Sequence, residues 1–145
     1  MQATLKTKVA FQGVGLHSGA PARLELHPAP AGHGIVFRRV DLTPAVDIPA
    51  LWDHVTPSKL CTLLDDGAGT TLSTVEHVMA ALAGTGIHNA LVKVDGPEVP
   101  ILDGSAAPFV RGILRAGIVL QNAALRAIRG RPARRAAQRN WSSTR

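Results

Sequence analysis

The residues with the clearest chemical potential are two neighbours, Glu76 and His77. A carboxylate can take a proton from water, and an imidazole can bind a metal ion that acidifies the water, so the pair is typical of metal-assisted hydrolysis. The zinc-protease pattern H-E-x-x-H is absent, because Met79 stands where its second histidine would be. One histidine cannot hold a catalytic metal, so at least two further ligands must come from elsewhere.

The pair also has a simpler interpretation that spacing alone does not exclude. Glu76 lies three residues after Ser73, so it can act as the second member of a capping box and return a hydrogen bond to the Ser73 backbone. His77 is then an ordinary histidine near the surface.

The surrounding segment predicts a helix that begins with Ser73 as N-cap and ends at Gly84. Four apolar residues share one face at helical spacing: Val75, Val78, Met79 and Leu82. Glu76 and His77 lie off that face, beside Ala80 and Ala81. Because a solvated face usually carries long polar side chains, we expect another element to cover these alanines as well.

Size and composition predict one modest domain of 145 residues, of which 46% are hydrophobic. No apolar run is long enough to span a membrane, and the first residues lack the hydrophobic segment of a signal peptide. The single cysteine, Cys61, cannot form an internal disulfide. We therefore expect a cytoplasmic protein without a transmembrane segment.

The net charge of +6 belongs to the end of the chain, because residues 126–145 contain seven arginines and no acidic residue. The remainder has nine basic and ten acidic residues, so its electrostatics do not favour nucleic acid as a partner. We predict a folded domain over residues 1–125 and an arginine-rich segment over residues 126–145 that is disordered or the product of a frameshift.

The pattern in the first half predicts mainly antiparallel strands. Residues 5–12 and 22–27 read as strands joined by a glycine loop (residues 13–19), with Ala22, Leu24 and Leu26 on the buried side of the second strand. A strand at residues 35–37 ends at Arg38 and Arg39, which suggest a solvated edge or a phosphate contact. Residues 46–51 suggest an edge strand, and residues 60–64 and 70–72 a hairpin.

The second half predicts a mostly buried strand at residues 89–94, a loop at residues 96–100 that contains two rigid prolines, and a second helix. Ser105 is the expected N-cap of that helix, and Gly117 its end; its expected buried residues are Phe109, Val110, Ile113 and Leu114. The fold class is therefore α+β: a two-layer sandwich of a small, mostly antiparallel sheet with two helices on one face.

Six segments taken in order resemble one family, the zinc-dependent UDP-3-O-acyl-N-acetylglucosamine deacetylases of lipid A biosynthesis. They are Gly-Val-Gly-Leu-His-Ser-Gly (13–19), Leu-Cys-Thr (60–62), Ser-Thr-Val-Glu-His (73–77), Ala-Ala-Leu-Ala-Gly (80–84), Pro-Glu-Val-Pro (97–100) and Asp-Gly-Ser-Ala-Ala-Pro-Phe (103–109). The resemblance runs from about residue 4 to residue 128. The occurrence of this many motifs in the same order is specific for the family.

The resemblance implies hydrolysis of the N-acetyl group of UDP-3-O-acyl-N-acetylglucosamine by metal-bound water. Glu76 matches the family's general base, and His77 matches one of its Zn²⁺ ligands. Leu16, His17, Cys61 and Thr62 match positions beside the substrate. Asp103 matches the Asp-Gly-Ser turn and is a candidate for supporting the site.

The resemblance also marks what this sequence lacks. Family members are about twice as long, and their second domain carries the remaining zinc ligands in a His-Lys-x-x-Asp motif that does not occur here. We therefore expect a truncated N-terminal half that is inactive alone. The alternative is a non-enzymatic remnant or interaction module that self-associates through the helix face at Ala80 and Ala81.

Overall fold

The computed structural model describes residues 1–125, and its elements follow a β-rich order with two helices. The strands in this part of the chain are β1 (Gln2–Leu5), β2 (Val9–Val14), β3 (Pro21–Pro28), β4 (Ile35–Arg39), β5 (Val46–Pro49), β6 (Val55–Thr56), β7 (Leu63–Asp65), β8 (Thr71–Leu72), β9 (Ala90–Val94) and β10 (Ile118–Gln121). The helices are α1 (Glu76–Gly84) and α2 (Ala107–Ala116), and a 3-10 turn at Trp52–His54 precedes β6.

The main sheet has five strands in the order β2-β3-β9-β4-β5. Only the β4–β9 pair is parallel; the other neighbours are antiparallel. The central strand β9 and its neighbour β3 alternate buried and less buried residues, as expected for strands with one face on a core. The predicted strands at residues 22–27 and 89–94 and the edge strand near residue 46 are confirmed.

Both helices pack against one face of this sheet and against each other, which confirms the predicted α+β two-layer sandwich. Leu24, Phe37 and Val92 of the sheet share one buried cluster with Val78 of α1 and Ile113 of α2. Burial of these side chains is the main stabilising contribution.

The docking of α2 on β2 depends on an aromatic contact. Phe109 of α2 and Phe11 of β2 lie with ring centroids 4.9 Å apart at an interplanar angle of 58°. Gly112 faces the same Phe11 ring so closely that a Cβ atom there would clash with it. The absence of a side chain at Gly112 therefore allows α2 to approach the sheet.

Two small sheets flank the main one. β6, β7 and β8 form an antiparallel sheet in which Leu64 pairs with Leu72, so the predicted hairpin before the first helix is confirmed. β1 pairs with β10. The strand β10 was not predicted, because Ile118, Val119 and Leu120 follow one another without the alternation of a half-buried strand. All three are exposed in the structure.

The prediction of one strand over residues 5–12 is wrong. β1 ends at Leu5, and β2 begins at Val9. The polar residues Lys6, Thr7 and Lys8 between them are exposed, and the chain passes here from the two-stranded sheet to the main sheet.

The predicted start of α1 is also wrong, although its end is confirmed. The helix begins at Glu76 rather than after Ser73, and no side chain caps its first turn. Ser73 is instead extended: its N–H donates to the Pro97 carbonyl, and its carbonyl accepts from Val99 N–H. These backbone hydrogen bonds satisfy Ser73 outside a helix.

The two alanines of α1 differ in their burial. Ala81 is fully buried, as expected for a residue covered by another element. Ala80 is exposed, so no described residue covers it, and the interaction face predicted at Ala80 and Ala81 retains only Ala80.

The second helix is close to the prediction except at its N-cap, which is Ala106 rather than Ser105. It begins at Ala107, and the Ser105 hydroxyl accepts a 3.1 Å hydrogen bond from the Ala107 N–H. Phe109 and Ile113 are buried as predicted, Val110 is half-buried, and Leu114 is 60% exposed, contrary to the prediction.

Arg39 also departs from the prediction of a solvated edge. It is buried, with its guanidinium donating to both carboxylate oxygens of Asp41 and to the Thr71 carbonyl. Arg38 pairs with Asp47 across the β4–β5 edge, as an exposed pair. Both arginines therefore have protein partners. The predicted arginine-rich segment, residues 126–145, lies outside the described residues.

Candidate active site

The carboxylate of Glu76 lies at the first residue of α1 and is half-buried. Its Oε2 accepts a 3.0 Å hydrogen bond from the backbone N–H of Thr62, which lies just before β7. The hydrogen bond predicted by the simpler interpretation, from Glu76 back to the Ser73 backbone, is not the one observed. The resemblance implies different roles for Thr62 and Glu76, and in the structure the two residues are in direct contact.

A cavity of about 370 Å³ opens beside this pair. Thr62 and Glu76 are part of its lining, and apolar side chains such as Trp52, Leu64 and Met79 form much of the rest. In such surroundings a carboxylate is less screened by water than it is at an open surface. The cavity thus offers space for a ligand next to a group able to accept a proton.

His77 follows Glu76 on α1 and is half-buried. Within residues 1–125 no three histidine, cysteine, aspartate or glutamate side chains come together as a metal site. These residues alone therefore do not form the complete zinc site that the family resemblance implies, since a catalytic zinc needs three protein ligands. His77 is a single candidate ligand.

Cys61 lies next to Thr62 and is half-buried. Its Sγ is 3.4 Å from the Ser58 hydroxyl oxygen. Cys61 is the chain neighbour of Thr62, but it is not among the residues that line the cavity, so its contact with a substrate stays a prediction.

The glycine loop connects β2 to β3, as predicted. Leu16 is 57% exposed, and the His17 side chain is exposed as well. The His17 backbone, in contrast, is anchored: its N–H donates a 2.9 Å hydrogen bond to Oε1 of Glu98. The loop thus exposes the Leu16 and His17 side chains, while its backbone is held by Glu98.

Glu98 is the residue of this region that the sequence analysis missed. It is only 3% exposed, and its carboxylate accepts four hydrogen bonds: from His17 N–H, from the N–H and hydroxyl of Ser18, and from the Thr74 hydroxyl. The available signal was an acidic residue in a predicted loop between two prolines. Because neither proline can donate a backbone hydrogen bond, the donors to this acid must come from other residues.

The environment of Glu98 favours its charged form. Burial alone would raise the pKa of its carboxyl group, but the hydrogen bonds from His17, Ser18 and Thr74 outweigh burial and lower the pKa to about 2. Glu98 is therefore an ionised side chain inside the fold, stabilised by hydrogen-bond donors.

Gly15 allows the glycine loop to fold over this carboxylate. A Cβ atom at position 15 would clash with Oε2 of Glu98 and with the Ser18 hydroxyl oxygen. Gly15 does not have a positive φ, so its backbone conformation does not require glycine. Glycine is needed because the backbone lies close to the Glu98 carboxylate.

Thr74 connects Glu98 to the start of α1. It is buried and has a φ of 62°, a left-handed conformation that is unfavourable for a β-branched residue. Its hydroxyl donates a 3.1 Å hydrogen bond to Oε1 of Glu98. The Glu98 carboxylate, which anchors the glycine loop, therefore also holds Thr74 in a strained conformation two residues before Glu76.

Asp103 lies in the turn before α2 and is exposed. Its Oδ1 accepts hydrogen bonds from the Ser105 hydroxyl at 2.8 Å and the Ser105 N–H at 3.0 Å. The Ser105 hydroxyl is the main cause of a lowered Asp103 pKa. These contacts support the turn, and Asp103 is not among the residues that line the cavity beside Glu76 and Thr62.

Comparison with known proteins agrees with the resemblance in the sequence. A family model described as UDP-3-O-acyl N-acetylglycosamine deacetylase matches residues 2–143. The UDP-3-O-acyl-N-acetylglucosamine deacetylases of Vibrio vulnificus and Legionella pneumophila are each 56% identical to this chain over 128 residues, which is 88% of this chain and 42% of each relative. The corresponding protein of Geotalea uraniireducens is 57% identical over 116 residues, 80% of this chain and 38% of the relative.

The chain spans less than half the length of these curated relatives. Neither helix in the part that the structure describes has the length and apolar character that a membrane crossing demands. The match over nearly the whole chain establishes its membership: the chain belongs to the UDP-3-O-acyl N-acetylglycosamine deacetylase family.

Proposed function

We propose that this chain supplies one part of the active site of an enzyme that hydrolyses the N-acetyl group of UDP-3-O-acyl-N-acetylglucosamine, a step of lipid A biosynthesis. The observation that carries the proposal is the half-buried Glu76 carboxylate, oriented by the Thr62 N–H at the edge of a cavity. The relatives' names supply the substrate.

Glu76 acts as the general base in this proposal. Water attacks the acetyl carbonyl carbon, and the carboxylate of Glu76 accepts the proton of that water. This proton then passes to the departing nitrogen as the carbon–nitrogen bond breaks, which gives acetate and the amino sugar. A positioned base of this kind contributes about 10²- to 10⁴-fold to the rate. The hydrogen bond to Thr62 fixes one oxygen of Glu76 and leaves the other available.

The remaining candidates have supporting roles. Leu16, His17, Cys61 and Thr62 contact the substrate, and Asp103 supports the turn before α2. His77 contributes one ligand to a Zn²⁺ ion, and the other ligands come from outside residues 1–125. Because the described residues offer this one candidate ligand, we assign no catalytic step to the metal from this chain, and we expect negligible turnover from the chain alone.

A chimera tests this function directly. In the Legionella relative, the region that matches this chain is replaced by the matching residues of this chain, and release of the free amine from UDP-3-O-acyl-N-acetylglucosamine is measured with Zn²⁺ present. We expect turnover by the chimera and none by the 145-residue chain. A folded, zinc-loaded chimera without turnover contradicts the proposal.

A second candidate function is binding of another polypeptide, including a second copy of this chain, through the outer face of α1. It is favoured by the exposure of Ala80, one of the two alanines predicted for this face. The other, Ala81, is buried, and Ala83 is exposed instead. Sedimentation over a range of concentrations distinguishes the two states: a concentration-dependent dimer supports this function, and a monomer at all concentrations contradicts self-association.

A further inference from the structure

Glu98 connects two segments that carry separate parts of the proposed site. One is the glycine loop, through His17 and Ser18, about eighty positions earlier in the chain; the other is Thr74, at the entry to α1. The two carboxylate oxygens divide this task, since Oε1 accepts from His17 N–H and the Thr74 hydroxyl, and Oε2 accepts from Ser18 alone.

Only an ionised carboxylate fits this arrangement. All four groups that face the side chain donate hydrogen bonds, and a carboxylate is the side chain that only accepts them. A glutamine would turn an NH₂ group toward N–H or O–H donors on one side. The chemistry of the site therefore demands an acid at position 98, rather than any polar residue of its size.

The arrangement at Thr74 shows that this contact acts on the start of α1. Thr74 has a φ of 62° and is 1% exposed, so its strained backbone persists because the surroundings hold it. Its neighbour Ser73 is fixed by backbone hydrogen bonds with Pro97 and Val99, on either side of Glu98. The direction in which the chain enters α1 at Glu76 is thus set by the segment that contains Glu98.

We propose that Glu98 is a positioning residue for the reaction: through Thr74 and the glycine loop it holds the Glu76 carboxylate and the Leu16–His17 backbone in one relative arrangement. This inference rests on the proposed function for its catalytic meaning. It concerns a coupling within this chain, so it can be measured without turnover.

The test uses the full 145-residue chain and amide NMR. In the Glu98→Gln variant we expect the His17 and Ser18 amide signals to lose the downfield shift that a charged acceptor causes. We also expect hydrogen exchange of the Thr62 N–H, which is bonded to Glu76, to become faster on the order of tenfold. Glu98→Asp, which keeps the charge, should restore part of the Thr62 protection.

Glu25→Gln is the matched control. Glu25 lies on β3 and pairs with Arg23 and His27, away from the glycine loop, so its loss should leave the Thr62 N–H unchanged. If Glu98→Gln alters the loop signals but leaves Thr62 exchange at the wild-type rate, Glu98 only anchors the loop and the proposal is overturned.

A second pair of variants decides the question if Glu98→Gln does not fold. Thr74→Val removes the hydroxyl that contacts Glu98 but keeps the side-chain shape, and Thr74→Ser keeps the hydroxyl. Faster Thr62 exchange in Thr74→Val but not in Thr74→Ser supports the proposal, and equal rates in both overturn it. If the chimera is inactive but the variants of the 145-residue chain show these NMR changes, the proposed function is contradicted and the positioning role of Glu98 is not.

Discussion

The backbone N–H of Thr62 donates a 3.0 Å hydrogen bond to Oε2 of Glu76, which joins the chain just before the β7–β8 hairpin to the first turn of α1. The family resemblance assigns both residues to the site but does not predict that they are in contact. The contact gives Glu76 a defined orientation toward the cavity, and orientation is the first requirement of a general base.

The substitution Glu76→Gln should abolish the proposed chemistry and leave the fold intact. The amide oxygen of the new side chain can still accept the Thr62 hydrogen bond, but the amide cannot take a proton from water. In the chimera we expect turnover to fall by about 10²- to 10⁴-fold, measured as amine release. Zinc content and the unfolding midpoint should match those of the parent chimera. Glu25→Gln, a change outside the site, should retain full turnover.

Replacement of His77 by alanine should act on metal content rather than on the fold. In the chimera we expect loss of Zn²⁺ after dialysis, because a three-ligand site loses one of its ligands. In the 145-residue chain, the same substitution should make no difference, since His77 alone retains little metal. Metal analysis of the dialysed proteins checks this; a chain that retains one equivalent of zinc only when His77 is present would contradict it.

Gly15 should be among the least tolerant glycines of the chain. Gly15→Ala places a Cβ atom against the Glu98 carboxylate and the Ser18 hydroxyl, and overpacking of this kind destabilises by about 1–3 kcal/mol. Gly84→Ala is the matched control: it has no heavy atom within 4 Å of the added Cβ and lies in a helix, where alanine is favoured by roughly 0.5–1 kcal/mol. Urea unfolding of both variants measures the difference, and equal midpoints would exclude the clash.

The sequence predicted those features that depend on local patterns. Alternation identified β3 with Leu24 and Leu26 buried, and the turn residues 65–69 identified the β7–β8 hairpin. The predicted apolar face of the first helix is buried at Val78 and Leu82 and half-buried at Met79. Val75 is buried as well, although it precedes α1. Each of these signals lies within a few residues of the element it defines.

The features that were missed depend on distant parts of the chain. Ser73 looks like an N-cap by its spacing to Glu76, but the Pro97 and Val99 backbone competes for it, and the helix begins later. β10 exists because β1 pairs with it, not because of its own pattern. The role of Glu98 arises from partners as far away as His17, so the two prolines around it mark the position but do not identify those partners.

The buried charge of Glu98 predicts a specific pH dependence of stability. Hydrogen bonds from His17, Ser18 and Thr74 outweigh its burial and lower its pKa from the ordinary value of 4.5 to about 2 in the fold. Because the folded pKa is the lower one, the stabilisation is fully present above about pH 5 and is lost as the pH falls toward about 2. The shift corresponds to about 3 kcal/mol at neutral pH.

Comparison with Glu98→Gln isolates this contribution. Other carboxylates with lowered pKa values, such as Asp41 and Asp47, also lose stabilisation in acid, but they are present in both proteins and cancel in the difference. We expect the wild type to exceed Glu98→Gln in free energy of unfolding at about pH 6, and the gap to narrow steadily between about pH 5 and about pH 3. Urea titrations at each pH measure it. A gap that stays constant over this range would mean that the shape of Glu98, and not its charge, holds the glycine loop to α1.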